Sequence, residues 1–508
     1  MRRIPTTLLL LLLGRSLSAQ FAGQLDTTFA DSGYVITDGP VVLTTAYSLL
    51  LRPDGRTIVI GNAQDQGTDV GVARFLVNGQ LDPMFGAGGA VAIHVEGTEY
   101  VNGSALQDDG GIVIAGMTSP FPFPQDQKGL LVRLDSTGAL DPSFAGSGVH
   151  TVAFPGEDAW FQEVAIQADG RIVACGDAGN DMHVHRVLAN GDPDPSFGNL
   201  GSIRLQVDSA YSIGYSLALQ SNDSGIIVAG TGIVRLLPNG DPDSLGFGMD
   251  GRAIVPADVD GIVVFRDVVI QPDGRIVATG WSSPPPDTLI VVRLLPNGTP
   301  DSSFAQDGSL ELPVADGSGG MALALQPDGM IVLTGSVYDA LTQNTTVLLA
   351  RIDPNGVPDP LFGQNGVVLF TPNVFTQHTE IGTGVAIGPD ARITTCAAYW
   401  SAAGPGFLVA RFLGNDLATG IATTETPNGR VYPVPATDEV TVECPPCAGR
   451  QAELSVIDAT GRTVRTQRSR FDAAAPMLRV DLRGLAAGVH HLRLVCGTEV
   501  RSIPVVVH

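Results

Sequence analysis

The chain has 508 residues, of which 62 are Gly, 35 are Pro and 16% are charged. This composition is typical of many short strands joined by tight turns, and it predicts an all-β protein. The formal net charge of -23 argues against nucleic-acid binding and against electrostatic docking on membranes, because an acidic surface repels phosphate groups.

The N-terminus has the pattern of a secretory signal peptide. Arg2 and Arg3 precede an apolar run from Leu8 to Leu13, and small or polar residues follow up to Ala19. We therefore predict a signal peptide over residues 1–19. No later segment reaches the length of apolar sequence that spans a bilayer, so we expect no transmembrane anchor.

Three signatures recur along most of the chain. The pattern Asp-x-x-Phe-x-x-x-Gly begins at Asp26, Asp82, Asp141, Asp194, Asp301 and Asp359, and a copy at Asp243 has one extra residue before its Phe. A tight turn resembling Pro-Asp-Gly lies at 53–55, 108–110, 168–170, 223–225, 272–274, 327–329 and, degraded, 389–391. An apolar strand ends in an arginine at Arg74, Arg133, Arg186, Arg235, Arg293, Arg351 and Arg411.

Each repeat of about 55 residues reads as four strands, a length close to that of kelch-type blades. Seven such units predict a seven-bladed β-propeller with four strands per blade over residues 20–415. An open β-solenoid or a string of small sheets is the alternative architecture. The arrangement Arg-Leu-x-x-x-Gly-x-x-Asp-x-x-Phe-x-x-x-Gly at 293–308 resembles the delta-60 repeat family of exported propeller repeats. That resemblance implies a fold and says little about activity.

Residues that occur once per repeat are more economically explained by the fold than by a ligand site. We expect the aspartates to cap their turns, since their spacing lacks the alternating oxygen ligands of calcium loops. The arginines are expected to pair with the following aspartate, as Arg74 with Asp82, because a ring of unpaired like charges would be destabilising. His183 and His185 lie two apart on one strand, and we expect them to be packed in the core. We assign no catalytic residue, no metal ligand and no cofactor.

The strand order separates the loops into two faces. The Pro-Asp-Gly and Asp-x-x-Phe turns fall on one face, and every irregular insertion falls on the other. Aromatic residues on irregular loops are typical of glycan- or protein-binding faces. The candidate ligand-binding residues are Trp160, Trp281, Trp400, Phe121, Phe123 and Tyr338.

The repeat stops after Arg411, and residues 416–429 read as a linker. Short alternating strands over 430–508 predict a small Ig-like β-sandwich. The segments 432–436, 456–462 and 481–490 resemble the C-terminal sorting domain of the type IX secretion system. The resemblance implies contact with that secretion machinery in Bacteroidetes-type bacteria and passage through the periplasm. The mature protein would then be secreted or held at the outer-membrane surface.

Five cysteines are present. Cys175 and Cys396 sit in apolar runs and read as core residues, whereas Cys444, Cys447 and Cys496 can supply one disulfide whose pairing the sequence leaves open. Our first functional hypothesis is a non-enzymatic surface propeller that binds a glycan or a surface protein. The alternatives are a polysaccharide hydrolase or lyase with carboxylates at the mouth of the channel, and a purely structural surface component.

Overall fold

The computed structural model describes residues 22–36, 43–64, 67–120, 126–207, 211–221, 225–255, 262–283, 287–372, 378–401, 404–415, 430–432, 439–444, 447–457, 463–472, 477–485, 488–496 and 499–507. The chain divides into two compact units, Phe21–Asn415 and Asp416–His508 with Met1–Gln20. The signal peptide, the linker at 416–429, Phe121 and Phe123 lie outside the described residues. No helix within the described ranges is long and apolar enough to cross a membrane.

The first unit is built from antiparallel meanders, in which each strand pairs with the next one along the chain. Two four-stranded meanders are β2 (Leu43–Leu51), β3 (Thr57–Gln64), β4 (Thr68–Phe75) and β5 (Ala90–Ile93), then β6 (Gly97–Leu106), β7 (Ile112–Pro120), β8 (Lys128–Leu134) and β9 (Val149–Val152). They are followed by β10 (Ala159–Ile166), β11 (Ile172–Ala178), β12 (Asp181–Val187) and β13 (Ser202–Leu205), then β14 (Gly214–Leu219), β15 (Ile226–Gly230) and β16 (Ile233–Leu236). The remaining strands are β17 (Ile262–Ile270), β18 (Ile276–Ser283), β19 (Thr288–Leu294), β20 (Ser309–Leu312), β21 (Gly317–Leu325), β22 (Ile331–Asp339), β23 (Asn344–Ile352), β24 (Val367–Phe370), β25 (His378–Ile387), β26 (Ile393–Ser401) and β27 (Gly404–Phe412).

This architecture confirms the predicted all-β propeller class. The number of blades stays a prediction, because a parallel bridge between Thr345 and Thr379 joins two meanders into one larger sheet. The first strands of successive meanders pack side by side, and β25 packs on β2 to complete the circle. These first strands therefore surround the centre of the unit.

The last meander is completed by a strand from the start of the chain. Strand β1 (Tyr34–Ile36) pairs antiparallel with β27, so that Tyr34 lies opposite Ala410 and Ile36 lies opposite Leu408. The isolated bridge between Leu25 and Phe412 extends the same contact. The ring is thus closed by hydrogen bonds between its two ends.

The repeated Arg, Asp and Phe form one structural clamp per repeat. Six of the arginines are 2.6–2.8 Å from the aspartate that follows them, which confirms the predicted pairing, and Arg411 instead pairs at 2.8 Å with Asp26 from the start of the chain. The same guanidinium lies 4.4–4.8 Å from the centroid of the buried phenylalanine of that repeat. It also donates to a backbone carbonyl of the following meander, as Arg74 does to Ser136. The clamp therefore joins neighbouring meanders.

The aspartates also cap their turns as expected, since Asp82 Oδ1 accepts a hydrogen bond from Met84 N at 3.0 Å. The Pro-Asp-Gly turns lie next to these clamps. Arg56, which directly follows the turn at 53–55, is 3.0 Å from Asp82. Both kinds of turn therefore share one face, as the strand order predicts. The connections between second and third strands, such as that from β22 to β23, leave from the opposite face.

The second unit contains two sheets with a common apolar core. One sheet comprises β28 (Arg430–Tyr432), β29 (Glu439–Glu443) and β32 (Met477–Asp481). The other comprises β30 (Gln451–Ile457), β31 (Thr463–Arg470), β33 (Gly488–Cys496) and β34 (Glu499–Val507). Val440, Val480, Leu454 and Leu492 pack between them, which confirms the predicted β-sandwich.

Candidate ligand-binding cavity

Every first strand of a propeller meander carries a β-bulge at the same place. The pairing with the second strand shifts between Ala46 and Ser48 in β2 and between Phe265 and Asp267 in β17, and the other first strands shift at the equivalent step. A bulge inserts one unpaired residue and breaks the alternation of faces. It can therefore turn two consecutive side chains toward the centre of the ring.

A glycine on the second strand permits six of the seven bulges. Gly61 lies opposite Ala46, and a Cβ at Gly61 would stand 1.7 Å from the Thr45 carbonyl oxygen. The equivalent glycine recurs at Gly116, Gly176, Gly230, Gly280 and Gly335. In the last meander its place is taken by Ala397, which lies opposite Gly382. The close backbone approach is thus encoded in the repeat.

The bulged residues differ from meander to meander. They are Tyr47, Asn102, Gln162, Tyr215, Arg266, Met321 and Thr383, and all of them line one central cavity of about 350 Å³. The next residues along the strands, among them Ser48, Glu163, Ser216 and Asp267, line it as well. The scaffold is repeated, but the lining of its centre is not. This asymmetry makes the cavity the candidate functional site.

Arg266 is the one cationic side chain among the described residues that line the cavity. Its guanidinium lies 4.1 Å from the centroid of the Tyr215 ring and 5.9 Å from that of Trp281. Burial lowers the pKa of Arg266, and the Tyr215 hydroxyl and the charge of Asp267 partly oppose that shift. Its Nε has no hydrogen-bond partner within the described part of the chain. A buried donor without a partner is costly, so this group is poised to bind a ligand acceptor.

Two carboxyl groups share the cavity with Arg266. Burial raises the pKa of Glu163 to about 8, with a further contribution from the charge of Asp267. Burial also raises the pKa of Asp267 to about 6, although hydrogen bonds from Leu323 N and Ser216 oppose it. Burial thus favours the neutral form of both carboxyl groups, and it does so more strongly for Glu163 than for Asp267. The charges of Arg266 and Asp267 stabilise each other.

Both carboxyl groups also fasten neighbouring first strands together. Asp267 Oδ1 accepts from Ser216 Oγ at 2.8 Å, and Asp267 Oδ2 accepts from Leu323 N at 2.7 Å. Glu163 accepts a hydrogen bond from Val164 N at 2.8 Å and another from the backbone of Ser104. These bonds fix the carboxyl groups and connect five of the strands around the cavity: β14, β17 and β21 through Asp267, and β6 and β10 through Glu163.

The aromatic residues singled out from the sequence have different places. Trp400 lies in β26, lines the cavity and is 39% exposed. Trp281 lies in β18 against Arg266. Trp160 lies in β10, stacks on Tyr100 at 6.3 Å and donates its indole N–H to Gln127. Tyr338 lies in β22 and is exposed, but it does not line the cavity.

The other sequence expectations concern histidines and cysteines. His183 and His185 are buried and their imidazoles hydrogen-bond to Ser202, which confirms that they are packed. Burial lowers the pKa of each to about 3. Cys175 and Cys396 are buried free thiols, as expected. Cys444, Cys447 and Cys496 are also buried thiols; the sulfurs of Cys444 and Cys447 are 2.8 Å apart, and Cys496 lies against Cys447.

The bulged residues escaped the sequence analysis, as did Glu163 and Asp267. Each stands inside an apolar strand, where regular alternation would place consecutive residues on opposite faces. The sequence does contain a pattern that could have identified the bulged residues. In three repeats the bulged residue stands six positions before the first residue of the Pro-Asp-Gly turn, which is Pro53, Pro272 or Pro327. The glycine six positions after Gly55, Gly274 and Gly329 completes that pattern.

The meanders, their closed ring and the central cavity define a β-propeller. Residues 52–85, 167–197, 271–304 and 326–362 match the family model described as "Domain of unknown function (DUF5122) beta-propeller". Residues 430–507 match the model described as "Secretion system C-terminal sorting domain". The chain carries propeller repeats of this kind followed by a sorting domain, which confirms both resemblances. The sorting domain directs the chain through the type IX secretion system to the cell surface or the extracellular space.

Several solved structures resemble the propeller unit in outline. A protein of unknown function from Dyadobacter fermentans is 11% identical, with 75% of this chain and 98% of that chain covered and a TM-score of 0.40. Hydrazine synthase from Kuenenia stuttgartiensis is 13% identical, with 75% and 98% covered and a TM-score of 0.42. These scores are too low to inform function. A comparison with curated proteins found no match.

Proposed function

We propose that this protein is a non-catalytic surface receptor whose central cavity binds a glycan. The asymmetric ring at the bulges carries this proposal. A repeated scaffold needs no variation at its centre, and here the ring presents amides, hydroxyls, aromatic rings and one guanidinium at equivalent positions. Polar groups that converge on a pre-formed cleft are typical of small-molecule sites.

The charge balance of the cavity favours a neutral ligand. Burial favours the protonated, neutral form of Glu163, and the charge of Asp267 offsets that of Arg266. Hydroxyl-rich sugars can accept from Arg266 Nε and from the side-chain amides of Asn102 and Gln162. Tyr47, Tyr215 and Trp400 supply ring faces for the apolar side of a sugar. The cavity volume of about 350 Å³ suits the end of a chain better than a folded protein surface.

A second candidate is a glycoside hydrolase or lyase, and it draws support from the two acids in one cavity. A carboxyl group that remains protonated beside one that is ionised is the arrangement that glycosidases use. The hydrogen bonds of Glu163 and Asp267 favour binding instead. Three protein groups already donate to Asp267, namely Ser216 Oγ and Val268 N to Oδ1 and Leu323 N to Oδ2, which gives this carboxyl group a structural role.

Binding is tested with the labelled full-length secreted protein on a glycan array. Arg266→Met and Trp400→Ala should each weaken retention at least about tenfold while the melting temperature stays high. Tyr338→Ala is the matched control, since this aromatic is exposed away from the cavity. If Tyr338→Ala abolishes retention and Arg266→Met does not, the ligand binds the irregular face. Release of reducing ends from any array ligand, lost in Glu163→Gln, would establish the hydrolase.

A further inference from the structure

A second cluster of side chains lies apart from the central cavity, where the first propeller meander meets the next one. Asp69 is the second residue of β4, His94 directly follows β5, and Glu99 is the third residue of β6. His94 Nδ1 is 2.8 Å from Asp69 Oδ1 and 3.5 Å from Glu99 Oε2. One ligand atom from each residue lies within 4.8 Å of the others. We propose that these three residues bind a divalent transition-metal ion of the zinc type.

The oxygen atoms of Glu99 have separate roles. Oε1 accepts from Glu96 N at 2.9 Å, from Gly97 N at 3.1 Å and from Thr118 Oγ1 at 3.0 Å. These bonds fix the connection between the two meanders. Oε2 is buried on a side chain with no exposed surface, and within the described ranges it has no hydrogen-bond partner. A buried carboxylate oxygen without a hydrogen bond is costly unless a cation satisfies it.

Comparison with another meander shows that the second oxygen is not needed for the fold. Ser212 occupies the equivalent place, three residues before the bulged residue, and its Oγ accepts from Val207 N at 2.9 Å. A single hydroxyl is thus sufficient to hold the connection there. The additional oxygen of Glu99 lies next to His94, so it is available for a different task.

The same places in a third meander pair hold a contrasting set of residues. Thr346, Thr371 and Glu380 stand where Asp69, His94 and Glu99 stand, and Thr371 Oγ1 is 3.4 Å from Thr346 Oγ1. Neutral hydroxyls are poor metal ligands compared with imidazole and carboxylate. The repeat therefore supplies an internal site of similar geometry but different chemistry, and it serves as a control.

The donor set indicates the class of metal. Ca²⁺ and Mg²⁺ prefer oxygen ligands alone, whereas an imidazole with two carboxylates is typical of Zn²⁺. Bonds of about 2.0–2.1 Å in a tetrahedron place ligand atoms roughly 3.3 Å apart. The observed separations of 2.8 and 3.5 Å bracket that value. His94 is partly exposed, so a water molecule can complete the coordination shell.

The test is metal binding by the full-length secreted protein after treatment with a chelator. Titration with Zn²⁺ should show a site of one ion per chain that His94→Ala weakens by more than about 100-fold. Glu99→Ser should also weaken it, although this variant retains a hydroxyl that can accept from a backbone N–H, as Ser212 Oγ does from Val207 N. Glu380→Gln is the control and should bind as the unaltered chain does.

Co²⁺ provides a second readout that separates this site from the cysteines of the sorting domain. Ligation by His94 and carboxylates should give a visible spectrum without the thiolate charge-transfer band. A chain that takes up no Zn²⁺ or Co²⁺ would overturn the proposal. Equal binding by His94→Ala and Glu99→Ser would overturn it too, as would a spectrum dominated by thiolate ligands.

Discussion

Arg411 and Asp26 lie 385 positions apart in the sequence, and their side chains form a buried ion pair of 2.8 Å. The pair belongs to the clamp of the last meander, in which the aspartate comes from the start of the chain. Arg411 also donates to the Val77 carbonyl oxygen of the first meander. This one arginine therefore joins the last strand, the N-terminal segment and the first meander.

Removing that arginine should loosen the closure of the ring. Arg411→Met leaves the buried carboxylate of Asp26 with only part of its compensation, and we expect the free energy of unfolding to fall by about 3 kcal/mol. Hydrogen exchange should show faster exchange of the β1 amides at 34–36. Arg235→Met removes the equivalent clamp inside the ring, where the pair is more exposed. Arg235→Met should lower the free energy of unfolding by less and leave the β1 amides protected from exchange. Unchanged exchange of the β1 amides in Arg411→Met would contradict the proposed role of Arg411.

Glu163 should make the stability of the propeller depend on pH. Its pKa rises from 4.5 when unfolded to about 8 in the folded chain, mainly through burial. Below the unfolded pKa the carboxyl group is protonated in both states and does not affect the free energy of unfolding. As the pH rises above that value and through the folded pKa, the free energy of unfolding falls, because only the unfolded chain ionises the group freely. Glu163→Gln should therefore be more stable than the unaltered chain at pH 8, by about 1–3 kcal/mol. In urea unfolding, the difference in stability between Glu163→Gln and the unaltered chain should disappear near pH 4.5. A difference that is the same at pH 4.5 and pH 8 would contradict the raised pKa of Glu163.

The degraded turn at 389–391 offers a stabilising substitution. Ala391 adopts a left-handed backbone with φ of 60°, in the place where Gly274 has φ of 85° in an intact turn. A Cβ in this region costs about 1 kcal/mol, so Ala391→Gly should raise the free energy of unfolding by roughly that amount. Gly274→Ala is the converse control and should be destabilising. The nearest atom to a Cβ there would be a Pro296 carbon at an ordinary 3.4 Å, so strain alone accounts for the loss.

The three cysteines of the sorting domain should differ in their chemistry under oxidising conditions. Cys444 and Cys447 have the closest described sulfur contact, and we expect one disulfide between them, with Cys496 left as a thiol. Alkylation followed by peptide mapping should find Cys496 labelled only after unfolding, because it is buried. Cys175 and Cys396 should behave in the same way. A disulfide that includes Cys496 would contradict this pairing.

The sequence predicted the scaffold because its residues recur. Asp82, Phe85 and Arg74 each have counterparts at fixed spacing, and physical reasoning about buried charges was enough to pair them. Tyr47, Arg266 and Glu163 could not be found in that way, because a bulge reverses the face that simple alternation assigns to them. Asp69, His94 and Glu99 are separated along the chain, and only the packing of neighbouring meanders brings them together. Repeated residues therefore allow the scaffold to be predicted from the sequence, whereas residues that differ between repeats are found only in the structure.

The antiparallel pairing of β1 with β27 has a consequence for biosynthesis and export. Until Phe412 has been made, β1 has no partner, and the nascent molecule displays an open sheet edge of the kind that invites aggregation. Folding cannot proceed to completion from the N-terminus onward, so the first residues must wait for nearly the last ones of the propeller. The sorting signal follows that point in the sequence. A product truncated before this point therefore has two defects. Its β1 edge stays unpaired, and it lacks the sorting domain that is needed for export.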